Sequence, residues 1–142
     1  MSADFASTTY DWGNVPDQAT SDSPQAVKDA VSTLCYHCGV SIDNEYSPYT
    51  STAGLVAAGL SLARYFGYGY ARVVEKSSYD DSQWYGLVCE QIGKGQPILC
   101  SIMWGELPHT VVLDGHGFPY LAHVNMGWGG DGDGWYLVGE LP

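Results

Sequence analysis

Pro108-His109-Thr110-Val111-Val112-Leu113-Asp114-Gly115 and, after it, His123-Val124-Asn125-Met126-Gly127-Trp128-Gly129-Gly130 decide the fold of this 142-residue chain. Each is a short apolar run bounded by Gly, Asp or Asn, which reads as a strand. A connection this short favours antiparallel neighbours. Working outward, residues 97–104 and 134–138 have the same character and bracket the pair. Four strands over 97–104, 109–114, 120–125 and 134–138, joined by Gly-rich turns, make a meander.

Upstream of residue 97 the spacing changes from two to between three and four. Val27, Ala30, Val31, Leu34 and Cys35 predict a first helix, with Ser23 as its cap, Pro24 in its first turn and Gly39 at its end. Residues 40–52 read as a loop containing Pro48. Residues 53–66 predict a second helix with Leu55, Val56, Gly59, Leu60 and Ala63 on its buried side, stopped by Gly67 and Gly69. Residues 70–75 alternate like a strand. A third helix starts near 80–82, where acidic residues suit an N-terminus. It buries Trp84, Leu87, Val88, Gln91 and Ile92 and ends at Gly93 and Gly95. Helices first and an antiparallel meander afterwards is an α+β pattern. Residues 1–22 are polar and read as a lead-in anchored by Tyr10, Trp12 and Val15, and residues 23–142 read as the domain itself.

Composition narrows the function. Apolar residues make up 45% and charged residues 15%, with 11 tyrosines, 5 tryptophans and 18 glycines, which describes a packed, turn-rich domain. The net charge of −11, without any basic patch, argues against nucleic acid and anionic membrane surfaces as partners. No apolar run approaches the roughly 18 residues of a membrane span, and Met1-Ser2-Ala3 has no signal-peptide character. Cys35-Tyr36-His37-Cys38 has the spacing of a zinc or redox pair, but Cys89 and Cys100 make a poor second pair for zinc. Burial as small thiols is the leading expectation for the cysteines, with a disulfide as the alternative. Asp131-Gly132-Asp133-Gly134 looks like part of a calcium loop but lacks the remaining ligands and the closing Glu. No metal or organic cofactor is expected.

The histidines are the candidates for chemistry. His109 opens a strand, which fixes its backbone while the ring can face a cleft, as a general base for a thiol requires. Asn125 ends the next strand, where a neutral amide oxygen could accept from one imidazole nitrogen and leave the other free. Trp128 could cover that contact from water, and Gly127, Gly129 and Gly130 permit a tight turn. His37 is expected on a helix surface and His116 in a hairpin turn. His123 is expected to pack or hydrogen-bond, and Asp114 to act first as a turn residue.

Longer stretches of text follow one another in a recognisable order. They are Tyr10-Asp11-Trp12-Gly13-Asn14-Val15, Ala30-Val31-Ser32-Thr33-Leu34, Gly39-Val40-Ser41-Ile42-Asp43 and Ser51-Thr52-Ala53-Gly54. Phe66-Gly67-Tyr68, Gly95-Gln96-Pro97, His123-Val124-Asn125, Gly127-Trp128-Gly129-Gly130 and Asp133-Gly134-Trp135-Tyr136 come after them. Over roughly residues 10–142 the chain resembles the streptopain family of bacterial cysteine peptidases, which have a papain-like fold. The resemblance implies a peptide or protein substrate, a secreted or cell-surface location, His109 as catalytic base, Trp128 as active-site wall and Asn125 as the asparagine before that wall. Met126 stands where family members carry a second tryptophan. The family's nucleophilic cysteine and oxyanion-hole glutamine lie upstream of the Tyr-x-Trp segment, which here begins at Tyr10, and its glycine-rich tail lies beyond Leu141-Pro142. None of the four cysteines matches the nucleophile. The resemblance therefore implies the histidine-bearing portion of a peptidase, inactive without an upstream cysteine-bearing segment. The rival expectations are a non-catalytic binding module on a peptidase-derived scaffold, a structural zinc domain, and a transglutaminase or amidase using similar Cys-His-Asn chemistry.

Overall fold

The computed structural model describes residues 1–48 and 51–141. The chain forms two compact units, residues 1–72 and residues 73–142.

The first unit holds helix α1 (Gln25–Ser41), a two-stranded antiparallel ribbon of β1 (Glu45–Tyr46) and β2 (Ser51–Thr52), and helix α2 (Leu55–Tyr65). The ribbon falls where a loop was expected; Tyr49 and Thr50 of that stretch lie outside the described residues. Ser23 does not cap α1. Its hydroxyl accepts from the Thr20 N–H at 2.9 Å, and Pro24 holds the N-cap position. Gly39 does not end the helix either. It lies inside α1, where the Tyr46 hydroxyl fills the space a Cβ would need. The helix closes two residues later. Asp43 takes the left-handed conformation at φ 51°, its N–H bonds to Val40 O, and the Asn44 N–H reaches back to Gly39 O. That pair of bonds is the usual helix-ending motif, with Asp in place of the usual glycine.

The lead-in packs on these helices through aromatic rings. Phe5 stacks on Tyr65 at 4.3 Å, and the Tyr10 hydroxyl meets His37 Nδ1 at 3.0 Å. His37 is buried, contrary to its expected place on a helix surface. Helix α2 also turns a different face inward. Ser61 is buried and Leu55, Ala58, Leu62 and Tyr65 are half-buried, whereas Val56 is 59% and Leu60 69% exposed. Both sets recur at helical spacing, so periodicity could not choose between them.

The second unit builds helix α3 (Asp81–Gly93) and a four-stranded sheet of β3 (Ile98–Trp104), β4 (Leu107–Gly117), β5 (Leu121–Asn125) and β6 (Gly134–Leu137). The strands are antiparallel in sequence order, the expected meander. Residues 70–75 form no strand. Asp80 and Gln83 form a reciprocal cap at the start of α3, and Gly95 in the left-handed region closes its end. Trp84 and Val88 of α3 pack against Ile102, Val111, Leu113, Ala122, Val124, Met126 and Val138. Burying a side chain such as Leu113 contributes about 1.5–3 kcal/mol. Strand alternation then assigns the sheet faces. Val111 and Leu113 point toward the helix, and His109, two residues earlier, continues that face. A bulge between Leu113 and Gly115 shifts the register beyond it.

Candidate active site

His109 lies near the start of β4, opposite Ile102 of β3. Trp104 closes β3 on the same face, two residues after Ile102. Trp128 comes from the Gly-rich loop after β5. Its indole stacks on the His109 ring at 4.6 Å with the planes 25° apart, and Trp104 meets Trp128 edge-on at 5.3 Å. The imidazole is half-buried between sheet and indole.

The ring is held by the main chain. His109 Nε2–H donates to the Met126 carbonyl oxygen at 2.8 Å. A carbonyl can only accept, so in the neutral ring Nε2 carries the proton and Nδ1 carries the lone pair. The nitrogen able to take a proton is therefore defined by geometry. Asn125 is on the adjacent strand, in register with Val112. Its amide oxygen accepts from the Gly127 N–H at 2.9 Å and is not the atom bonded to the ring. That N–H and the Met126 carbonyl are the two ends of one planar peptide unit. Asn125 thus grips the peptide that grips His109.

The loop itself is shaped by glycine. Gly127, Gly129, Gly130 and Gly132 all lie at φ between 70° and 99°, a region costly for residues with a Cβ. These turns bring Asp133 back so that its carboxylate accepts from the Met126 N–H at 2.7 Å. The Tyr136 hydroxyl bonds to Gly132 O at 2.6 Å and closes the turn. Asp133 is thus occupied as an anchor of the loop, and the described residues contain no group of three or more potential metal ligands.

His123 belongs to the opposite face of the sheet. It pairs with Asp114 at 2.6 Å, and its ring meets Trp135 edge-on at 5.3 Å. Asp114 therefore does orient a neighbouring histidine, but not His109.

The four cysteines are free thiols. Cys35 and Cys38 are exposed on α1 rather than buried. Desolvation of its sulfur, together with the neighbouring Cys35, pushes the Cys38 thiol above its ordinary value. Cys100 shares the inner face of the sheet with His109, but burial pushes its thiol up as well, the opposite of what a nucleophile needs. Among the described hydrogen bonds of the second unit, none joins His109 to a sulfur.

Sequence reasoning singled out His109, Asn125 and Trp128. It missed the Met126 carbonyl and Asp133. A backbone oxygen has no sequence signature. An Asp closing a Gly-rich turn is a recurrent acceptor for nearby backbone N–H groups, and that signal was present.

A histidine fixed by a main-chain carbonyl under a tryptophan is an arrangement that suits thiol activation. Residues 1–136 match the Peptidase C10 family. The chain belongs to that family. Streptopain of Streptococcus pyogenes is 26% identical over 140 residues, which are 98% of this chain and 35% of streptopain. The thiol protease/hemagglutinin PrtT of Porphyromonas gingivalis is 25% identical over 135 residues, 94% of this chain and 15% of that protein. The structure of the active wild-type interpain A cysteine protease of Prevotella intermedia superposes with a TM-score of 0.87 at 36% identity, covering 96% of this chain and 58% of interpain A. A prointerpain A fragment from the same organism gives 0.85 at 37% identity over 94% of this chain and 43% of the fragment. The fold is therefore papain-like α+β, and the chain is a cysteine-peptidase-like domain of the C10 family. It spans about a third of the length of streptopain.

Proposed function

We propose that this chain supplies the base side of a cysteine endopeptidase that hydrolyses peptide bonds in a peptide or protein substrate. The observation that carries the reading is the His109 ring, with Nε2–H committed to Met126 O, Trp128 stacked on one face, and Nδ1 left as the basic nitrogen. In the complete enzyme Nδ1 takes the proton of a cysteine thiol. The thiolate attacks the scissile carbonyl, and the same nitrogen then protonates the leaving amine. Asn125 and Trp128 hold the ring for both transfers. No metal or organic cofactor enters these steps.

None of Cys35, Cys38, Cys89 and Cys100 serves as the nucleophile in this reading. That thiol comes from a cysteine-bearing segment preceding the Tyr10-Asp11-Trp12 stretch, which is the partner the site requires, and the enzyme acts outside the bacterial cell or on its surface. The raised Cys100 and Cys38 thiols support the exclusion of those two. A non-catalytic binding module on the same scaffold is the second reading, favoured by Met126 at the position of the family's second tryptophan.

Three measurements test the proposal. The chain alone should not cleave casein, and an active-site-directed thiol reagent should find no fast cysteine. A cysteine labelled rapidly at neutral pH, and no longer so in His109→Ala, would show a nucleophile within this chain. Adding the cysteine-bearing segment in trans should shift the His109 resonances and generate casein cleavage. A folded segment that binds without activity would favour the binding module.

A further inference from the structure

Asp133 looks peripheral to the chemistry, since seven residues separate it from Met126. Its carboxylate nevertheless accepts the Met126 N–H in a part-buried bond of 2.7 Å. A carboxylate acceptor makes this bond stronger than a neutral one. The bond acts on the residue whose carbonyl accepts the hydrogen bond from His109 Nε2–H. From the other side, Asn125 Oδ1 accepts the Gly127 N–H. The backbone of residue 126 is therefore pinned on both flanks, and its side chain is fully buried in the core.

The span between these anchors would otherwise be loose. Four of its glycines sit at positive φ, and Gly127, Gly129 and Gly130 have open space where a Cβ would be. Side-chain packing does little to hold those positions. The Asp133 bond and the Tyr136–Gly132 bond at 2.6 Å return the loop to the sheet together with the Val124–Gly134 strand pairing.

We infer that Asp133 is a positioning residue of the site: by clamping the Met126 N–H it aims the Met126 carbonyl at His109 Nε2–H, and so fixes which imidazole nitrogen is basic. The inference rests on the reading of His109 as a general base, but its consequence is a property of the ring that exists whether or not a nucleophile is supplied.

The test uses the full chain with 15N-labelled histidine and reads the tautomer from the Nδ1 and Nε2 shifts of the neutral ring. The native chain should show the Nε2–H form with a slowly exchanging ring proton, and a protected Met126 amide. Asp133→Ala should move both ring nitrogens toward averaged shifts and abolish the slow ring proton, while the Val111, Leu113 and Val124 methyl resonances stay in place. Asp133→Asn, which keeps an acceptor oxygen, should restore the native pattern. An unchanged His109 pattern in folded Asp133→Ala would overturn the inference. Should that variant fail to fold, the native chain decides: a Met126 amide exchanging as fast as an exposed loop amide would overturn it, and a protected one with the Asn variant native-like would support it. Failure of the base reading would appear elsewhere, as absent casein cleavage after a folded cysteine-bearing segment has bound, with the tautomer still responding to Asp133.

Discussion

Trp128→Ala should weaken the second unit by about 2–4 kcal/mol, although the indole is 43% exposed. A fully enclosed tryptophan removes roughly 150–250 Å² from water. At a little over half coverage this one removes about 100 Å², worth about 2.5 kcal/mol at ~25 cal/mol per Å². The stack on His109 and the edge contact with Trp104 add about 0.5–1.5 kcal/mol each beyond area. Against this, a compact denatured chain already hides part of the same surface, which trims the area term. Water can enter where the ring was, so the cavity cost seen in closed cores does not apply. About 3 kcal/mol lowers the folded-to-unfolded ratio more than a hundredfold. Trp128→Phe keeps a ring over His109 and should recover at least half of the loss. Urea unfolding followed by far-UV circular dichroism measures both variants. A loss below about 0.5 kcal/mol for the alanine variant, at unchanged slope, would mean that the indole lies against the histidine without holding it.

Other outcomes follow from the same geometry. Desolvation raises the Cys100 thiol and the half-buried Tyr10 and Tyr85 phenols above their ordinary values of 9.0 and 10.0. Their contribution is present at neutral pH and lost as pH rises through and beyond those values. The Tm should therefore fall between about pH 9 and 11, less steeply in Cys100→Ser, and a flat profile would refute the burial argument. Gly115→Ala places a Cβ 2.9 Å from the His123 Cβ and 3.2 Å from the Trp135 ring. It should cost about 1–3 kcal/mol by overpacking while leaving the His109 resonances alone, because the damage lies on the other face of the sheet. Asp80→Ala removes the reciprocal cap of α3 and should cost about 0.5–2 kcal/mol in urea unfolding, an effect that Asp80→Ser should largely reverse.

The second unit was more legible in sequence than the first, for a physical reason. In the meander one face is buried, so period-two alternation, Gly turns and strand length agree, and the four expected strands are the observed ones within a few residues. In α2 apolar residues lie on both sides, and Val56 and Leu60 were read as inward because nothing local marks them as unpartnered. Gly39 was read as a stop because glycine usually ends helices; the actual reason for glycine is the hydroxyl of Tyr46, a contact invisible before the ribbon is folded. His109, Asn125 and Trp128 stood out by residue type and order. How they are joined did not, because the joint is a peptide unit between Met126 and Gly127.

That joint limits what substitution can reach. The atom that steers His109 belongs to every residue that could stand at position 126, so no exchange of side chain there deletes it. A conventional alanine scan would score position 126 by its volume in the core and miss its oxygen entirely. The side chain at 126 can therefore change with the needs of packing while the acceptor for His109 Nε2–H stays in place. Only a change to the backbone itself, such as replacing the Met126–Gly127 amide with an ester, would weaken that oxygen as an acceptor and expose its role.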